Sequence, residues 1–353
     1  MGLPRSARIA VLTSLAVVAA VVLFALGSSG HPTRGASAAQ PPSTGGSGRG
    51  PGGARSSTTD PAPTTTTSTT LPAHDPTYRI GQASLSVPAH NRAGAPVTIP
   101  TTVWYPQGGA GRTFPLVIFS PGYQIAPAVY DSLTEAWASA GYVVAEPVYP
   151  DTAPGSPQIE YDMINHPGEL GQVRDALVGG KLAGTAAFEG LIDPSEVAVA
   201  GHSDGGDVSL AAAADTCCTM AGIRAAMILS GAEWAPFGGT YFGAGNPPLL
   251  AVQGARDTIN PPGCSAQLYD GAAAPRFYLD LPAGTHKSPY LYAGPQQTVV
   301  EQVTTDFLDG YLKGMKPRLD QLTSAGDDPG VSQVTVGGQV PVTGTCPGAP
   351  GYG

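Results

Sequence analysis

The sequence predicts an α/β domain built on a mostly parallel central sheet with helices on both faces. Strand-like and helical patterns alternate from Thr77 to about Lys316, which implies right-handed crossovers between parallel strands. One run, Phe114 to Phe119, is apolar throughout, as a strand buried on both faces must be. The 353 residues are 42% hydrophobic and the mean hydropathy is near zero, which excludes wholesale disorder and a multi-span membrane protein.

The elements follow in order. Tyr78 to Val87 and Val97 to Tyr105 read as strands joined by a polar turn at His90, Asn91 and Arg92. After the buried run at Phe114 comes the turn Ser120-Pro121-Gly122-Tyr123, then a helical pattern from about Ala126 to Ala140 that Gly141 stops. Tyr142 to Glu146 is the next strand, and Pro167 to Ala183 is helical with Pro near its first turn. Glu196 to Ala200 is a strand that runs into Gly201-His202-Ser203-Asp204-Gly205-Gly206 and an Ala/Leu-rich helix ending near Ala214. Three more strands are expected at Ile223 to Leu229, Leu249 to Gln253 and Arg276 to Leu281, with a short helix before the last. A helix carrying Val300, Val303, Phe307, Tyr311 and Leu312 on one face closes the domain, 77–316. In the tail, 317–353, Val331 to Val336 and Gln339 to Thr343 flank Gly337-Gly338 and read as a hairpin.

Ahead of the domain lie two segments of other kinds. Residues 1–27 hold Arg5 and Arg8 and an 18-residue apolar run, Ile9 to Leu26, broken only by Thr13 and Ser14. This is a signal peptide or an uncleaved membrane anchor through residues 9–26, and either reading makes the protein secreted or cell-surface. From 28 to 76, 34 of 49 residues are Gly, Pro, Ser or Thr, with no Phe, Trp or Tyr. Such a stretch cannot bury enough apolar surface to offset its ordering entropy, so it reads as a solvated linker. Residues 1–76 carry five basic and two acidic side chains, leaving 12 basic and 24 acidic in 77–353. The net charge of the body is therefore −12, against −9 for the whole chain, a poor match to a nucleic-acid phosphate backbone.

The chemistry is expected at Ser203. Gly201-x-Ser203-x-Gly205 sits between a strand and a helix, the setting in which a sharp turn lifts a nucleophile above the sheet and only small neighbours avoid a clash. A serine nucleophile needs a base. Of six histidines, His31 and His74 lie in the leader and linker, and His202 is expected to point its ring away from Ser203. His90 and His166 precede the nucleophile, with His166 the fallback, and His286 alone follows it, in the loop after Arg276 to Leu281. Asp257, 54 residues after Ser203 and 29 before His286, is the expected acid, with Glu233 as competitor. Asp204 and Asp207 are read as stabilising the first turn of the helix after the nucleophile. The oxyanion hole is expected from the backbone N–H groups of Asp204 and Tyr123.

At these residues the chain resembles the α/β-hydrolase superfamily and its secreted serine esterase branch. The resemblance runs from Tyr78 to about Lys316 and includes Val103-Trp104-Tyr105-Pro106, Phe119-Ser120-Pro121-Gly122-Tyr123, the elbow, and the Asp257 and His286 loops. It is similar to platelet-activating-factor acetylhydrolases, dienelactone-hydrolase-like esterases, and bacterial cutinases and polyester hydrolases. The last group implies that Tyr123 and Trp234 clamp the acyl group; it usually has Met where this chain has Asp204, and dienelactone hydrolases use Cys where this chain has Ser203. The resemblance implies cleavage of a small-molecule, lipid or polymeric carboxylic ester through a Ser203-His286-Asp257 triad and an acyl-enzyme, without cofactor or metal, by a monomer. A peptidase or amidase on the same triad and a non-catalytic surface-binding module are the alternatives. The region from Tyr149 to Pro167 and the loop from Gly231 to Asn246 are expected to line the pocket.

Four cysteines in an exported chain suggest disulfides. Cys217 and Cys218 end the helix that leaves the elbow, away from Cys264 beside the acid loop, so Cys264 with Cys346 is the expected bond. Cys217 and Cys218 are then free or joined to each other.

Overall fold

A computed structural model describes residues 77–108, 111–156, 159–180, 182–340, 342 and 346–347. The expected leader and linker, 1–76, lie outside the described residues. No helix among the described residues is long and apolar enough to cross a membrane.

Nine strands form one sheet in the order β1-β2-β4-β3-β5-β6-β7-β8-β9. They are β1 Arg79–His90, β2 Pro96–Gln107, β3 Phe114–Ser120, β4 Val143–Pro147, β5 Ile192–His202, β6 Ile223–Leu229, β7 Leu249–Gly254, β8 Arg276–Leu281 and β9 Gln333–Val336. From β4 through β8 neighbours run parallel, whereas β1, β2 and β9 are antiparallel additions at the two edges. Strand reversal around β3 and β4 and the short crossovers place the carboxyl ends of β3, β5, β6, β7 and β8 along one rim, the position from which α/β sheets present their chemistry.

Alternation along each central strand divides the core in two. Leu116, Ile118, Val197, Val199, Ala226 and Ile228 face α2 (His166–Gly179), α3 (Asp204–Ala214) and α4 (Pro262–Gly271). Their neighbours Val117, Phe119, Ala198, Ala200, Met227 and Leu229 face α1 (Asp131–Ser139), α6 (Pro295–Leu312) and α7 (Lys316–Gly326). Both faces of the sheet are covered by helices, which is why the middle strands carry no polar alternation. A single-turn helix, α5 (Ser288–Leu291), precedes α6.

Three expectations change. The pattern beginning at Ala126 is a 3-10 turn over Pro127–Tyr130 followed by α1, and Tyr130 at the junction is wholly buried. The helix expected to reach Ala183 stops at Gly179, because Gly180 takes a left-handed conformation at φ 60°. The strand anticipated as one arm of a tail hairpin pairs antiparallel with β8, from Phe277 opposite Val336 to Asp280 opposite Gln333, while part of the second arm, Gln339 to Thr343, lies outside the described residues. With Leu322 of α7 and Val334 of β9 both buried, the packed body continues past Lys316 to Val336. Cys264 and Cys346 are disulfide-bonded, and so are the adjacent Cys217 and Cys218.

Candidate active site

The residues singled out in the sequence converge on the rim where the parallel strands end. β5 passes into α3 through Ser203, whose backbone sits at φ 55°, ψ −128°, a conformation that non-glycine residues adopt only when the surroundings impose it. They do so here through contact: a Cβ on Gly201 would strike the Gly205 carbonyl, and one on Gly205 would strike the Ser120 carbonyl. The Ser203 N–H donates to Leu229 O at 3.0 Å, and Ser203 O accepts from Asp207 N at 3.0 Å, fixing the turn between β6 and the first turn of α3.

His286 lies in the loop after β8. Its Nε2 is 2.8 Å from Ser203 Oγ and its Nδ1 is 2.8 Å from Asp257 Oδ2. Asp257, after β7, is oriented by more than the imidazole: its Oδ1 accepts from the backbone N–H of Ile259 at 2.9 Å and Asn260 at 3.0 Å, and Oδ2 also accepts from Gln253 Nε2 at 3.2 Å. Burial alone would raise this carboxyl, but the His286 contact and the backbone donors outweigh it and hold Asp257 below the usual carboxylate range. Asp257 is therefore ionised at neutral pH and only accepts, so His286 Nδ1 carries the proton and Nε2 is left to accept one from Ser203.

The other candidates lie elsewhere. Glu233 accepts from Gln267 Nε2 at 2.9 Å on the surface and makes no contact with His286 among the interactions described. His166 begins α2, is buried, and stacks on Tyr149 at 4.1 Å between ring centroids; burial pushes its imidazole down to about 3. His90 is in the surface hairpin, its carbonyl and amide bound to Gln172. His31 and His74 lie outside the described residues.

The turn after β3 packs against the elbow: a Cβ on Gly122 would sit 3.2 Å from Ser203 Cβ. This brings the Tyr123 backbone beside the nucleophile, opposite the N-terminus of α3 where Asp204 begins the helix. Tyr123 is half-buried. Asp204 does more than stabilise a helix turn. Its carboxyl is buried against Glu160, and burial first, then the Asp207 and Glu160 charges, push it well above the usual range. Asp207 reaches across to the loop after β6, accepting from Ala232 N at 2.6 Å.

Trp234 is 1% exposed, packed edge-on against Tyr161 at 5.5 Å and Phe237 at 4.7 Å, and its backbone is held by the Tyr241 hydroxyl. It cannot clamp an acyl group as the resemblance implies unless Tyr161 moves. Residues 159–165 thus lie over the site through Glu160 on Asp204 and Tyr161 on Trp234. Residues 149–156 are tied to the turn after β3, since Gln124 N donates to Thr152 O at 3.0 Å and Gln124 Oε1 accepts from Gly155 N at 2.9 Å. Glu160, Tyr130, Gln253 and Asn260 all support the site, and no local pattern distinguishes them in the sequence, because each acts across more than one element.

Among the described residues no cluster of His, Cys, Asp or Glu is arranged to hold a metal ion. A parallel sheet with helices on both faces and a strand–Ser203–helix elbow at its rim define an α/β-hydrolase fold. The model of a family described as Chlorophyllase matches residues 75–230, from just before β1 through the elbow to the end of β6, short of the Asp257 and His286 loops. The family and the fold together support an ester hydrolase of the α/β-hydrolase type. No curated protein matches the chain.

Proposed function

We propose that this protein is an exported serine hydrolase that cleaves carboxylic esters through an acyl-enzyme. The observation that carries the proposal is the unbroken relay from Ser203 Oγ through His286 to Asp257, with both links at 2.8 Å. Ser203 attacks the ester carbonyl as His286 Nε2 takes its proton, and Asp257 stabilises the imidazolium that forms. The backbone amides of Tyr123 and Asp204 receive the oxyanion, and each such donor is worth roughly 10²–10³ in rate. His286 returns the proton to the departing alcohol, the C–O bond breaks, and a water deprotonated by the same imidazole then releases the acid from Ser203. None of these steps requires a metal or cofactor.

The matched family is named for an activity on chlorophyll, and what carries over here is ester cleavage. The buried Trp234 and the covering segment favour small acyl groups over an extended polyester chain, with Tyr123 as the aromatic at the mouth. Residues 1–27, as signal or anchor, and the linker 28–76 would deliver the domain outside the cytoplasmic membrane, as a monomer. Turnover of a p-nitrophenyl ester series, from acetate upward, tests the reading. Wild type should favour the short chains, and Ser203→Ala should be inactive and unlabelled by a fluorophosphonate probe. Wild-type-like turnover in Ser203→Ala would refute the mechanism.

A further inference from the structure

The ring beside the nucleophile is not turned idly away. His202 is fully buried at the end of β5, and both of its nitrogens are engaged. Nε2 lies 2.7 Å from the backbone carbonyl of His286, and Nδ1 lies 2.8 Å from the Tyr130 hydroxyl. The same hydroxyl accepts from Gly122 N at 3.2 Å. We propose that His202 is a positioning residue which, with Tyr130, holds the oxyanion turn, the nucleophile elbow and the His286 loop in a single register.

The proton assignment follows from the partners. A backbone carbonyl only accepts, so Nε2 carries the hydrogen toward His286 O. Burial, followed by the His286 charge, pushes the His202 imidazole down to about 3, so the ring is neutral at working pH and Nδ1 must accept. Tyr130, raised by its own burial, keeps its proton and donates it to Nδ1, leaving its oxygen lone pairs for the Gly122 N–H. Donors and acceptors match along the whole chain from Gly122 to His286, with no group left over. Contact reinforces the bonding: a Cβ on Gly122 would sit 3.3 Å from His202 Nδ1, so the turn rests on the ring as well as on Ser203. The His202 and His286 rings are 4.8 Å apart between centroids, so the support lies directly beneath the base.

This inference rests on the ester-hydrolase reading. If that relay does the chemistry, His202 fixes where the base stands and where the Tyr123 amide points without touching the reacting atoms. The registration matters most when charge develops, so its loss should fall on kcat rather than KM.

The test uses the full chain with a short p-nitrophenyl ester. Tyr130→Phe removes one oxygen while keeping the ring against Phe119. Its kcat should fall roughly 10- to 30-fold with KM within about twofold, the size expected from one misdirected buried hydrogen bond. Tyr142→Phe is the control: Tyr142 is equally buried, and its hydroxyl bonds Asp309 2.6 Å away on the α6 side. It should lose stability but keep wild-type kcat. His202→Gln, whose amide can still donate toward His286 O, should retain more activity than His202→Leu. Adding Tyr130→Phe to His202→Leu should cost little more, because leucine has already removed the acceptor that the Tyr130 hydroxyl meets.

Wild-type kcat in a folded Tyr130→Phe, or full additivity in the double variant, would overturn the inference. Failure of the hydrolase reading would show differently, as wild-type-like turnover in Ser203→Ala with His202 and Tyr130 intact, or as no turnover by the wild type.

Discussion

Asp257→Asn separates the acid that the structure brings to His286 from its sequence competitor. The groups around the Asp257 carboxylate are donors, among them His286 Nδ1 at 2.8 Å and Gln253 Nε2 at 3.2 Å on one oxygen and Ile259 N at 2.9 Å and Asn260 N at 3.0 Å on the other. An asparagine offers only one accepting oxygen. If that oxygen keeps the two backbone amides, its NH₂ faces His286, and Nδ1 can meet it only by giving up its proton. The proton then sits on Nε2, the atom that must accept from Ser203, and the base is disabled without being moved. If the amide flips, its NH₂ opposes two backbone N–H groups that have no freedom to turn away. The first arrangement costs less, so the fold should survive while kcat falls by about 10³–10⁴, equivalent to about 4–5.5 kcal/mol of transition-state stabilisation. Steady-state hydrolysis of a short p-nitrophenyl ester, with circular dichroism as the folding control, reads the effect. Glu233→Gln, altered only at its surface bond to Gln267, should match wild type within about twofold. A folded Asp257→Asn within about fivefold of wild type, or an equal loss in Glu233→Gln, would refute this reasoning.

Other outcomes follow from the same packing. Burial raises Glu146 and Asp207 to about 8 and Glu169 to about 7, so each contributes stability that is fully present below its unfolded value and lost as pH rises through those folded values. The melting temperature should fall between pH 5 and pH 8.5, and Glu146→Gln should flatten that slope; a melting temperature that rises over this range would contradict the assignment. Gly205→Ala forces a methyl onto the Ser120 carbonyl and should either prevent folding or lower stability by several kcal/mol, measurable by thermal melt. Cys264→Ser opens a loop of 82 residues to Cys346 and should cost about 2–4 kcal/mol. Changing both Cys217 and Cys218 to Ser opens a ring of adjacent residues and should cost far less by the same loop-entropy reasoning, which denaturant titration of the two variants compares.

Much of this molecule was legible from local pattern. The order of strands and helices, the buried run at Phe114, and the small residues around Ser203 are each set by short-range periodicity or by a turn that only small residues fit. Chain order ranked His286 over His166, and the strand that each acid follows ranked Asp257 over Glu233. Local pattern failed where a segment's partner was distant. The pattern Val331 to Val336, Gly337-Gly338, Gln339 to Thr343 predicts a hairpin from its turn alone, and nothing local in it points to the pairing of Gln333–Val336 with the edge of β8. Its strand character was local, but its pairing was not.

Tertiary structure decided the rest, because the remaining roles depend on which groups meet when distant segments close together. Trp234 is as visible in the sequence as Tyr123, but packing against Tyr161, Phe237 and the core is what buries it. His202 lies next to Ser203 in every reading, yet its two partners are 72 and 84 residues away, and only their approach turns a residue of the elbow into a support for it. Asp204 is an ordinary surface acid by composition until burial, with the Asp207 and Glu160 charges beside it, pushes its carboxyl well above the usual range. The sequence by itself determined which residues could carry the chemistry, because that depends on side-chain type and local turn geometry. The tertiary structure alone decided which of them are charged, covered or braced, because burial and hydrogen-bond partners are properties of the closed chain.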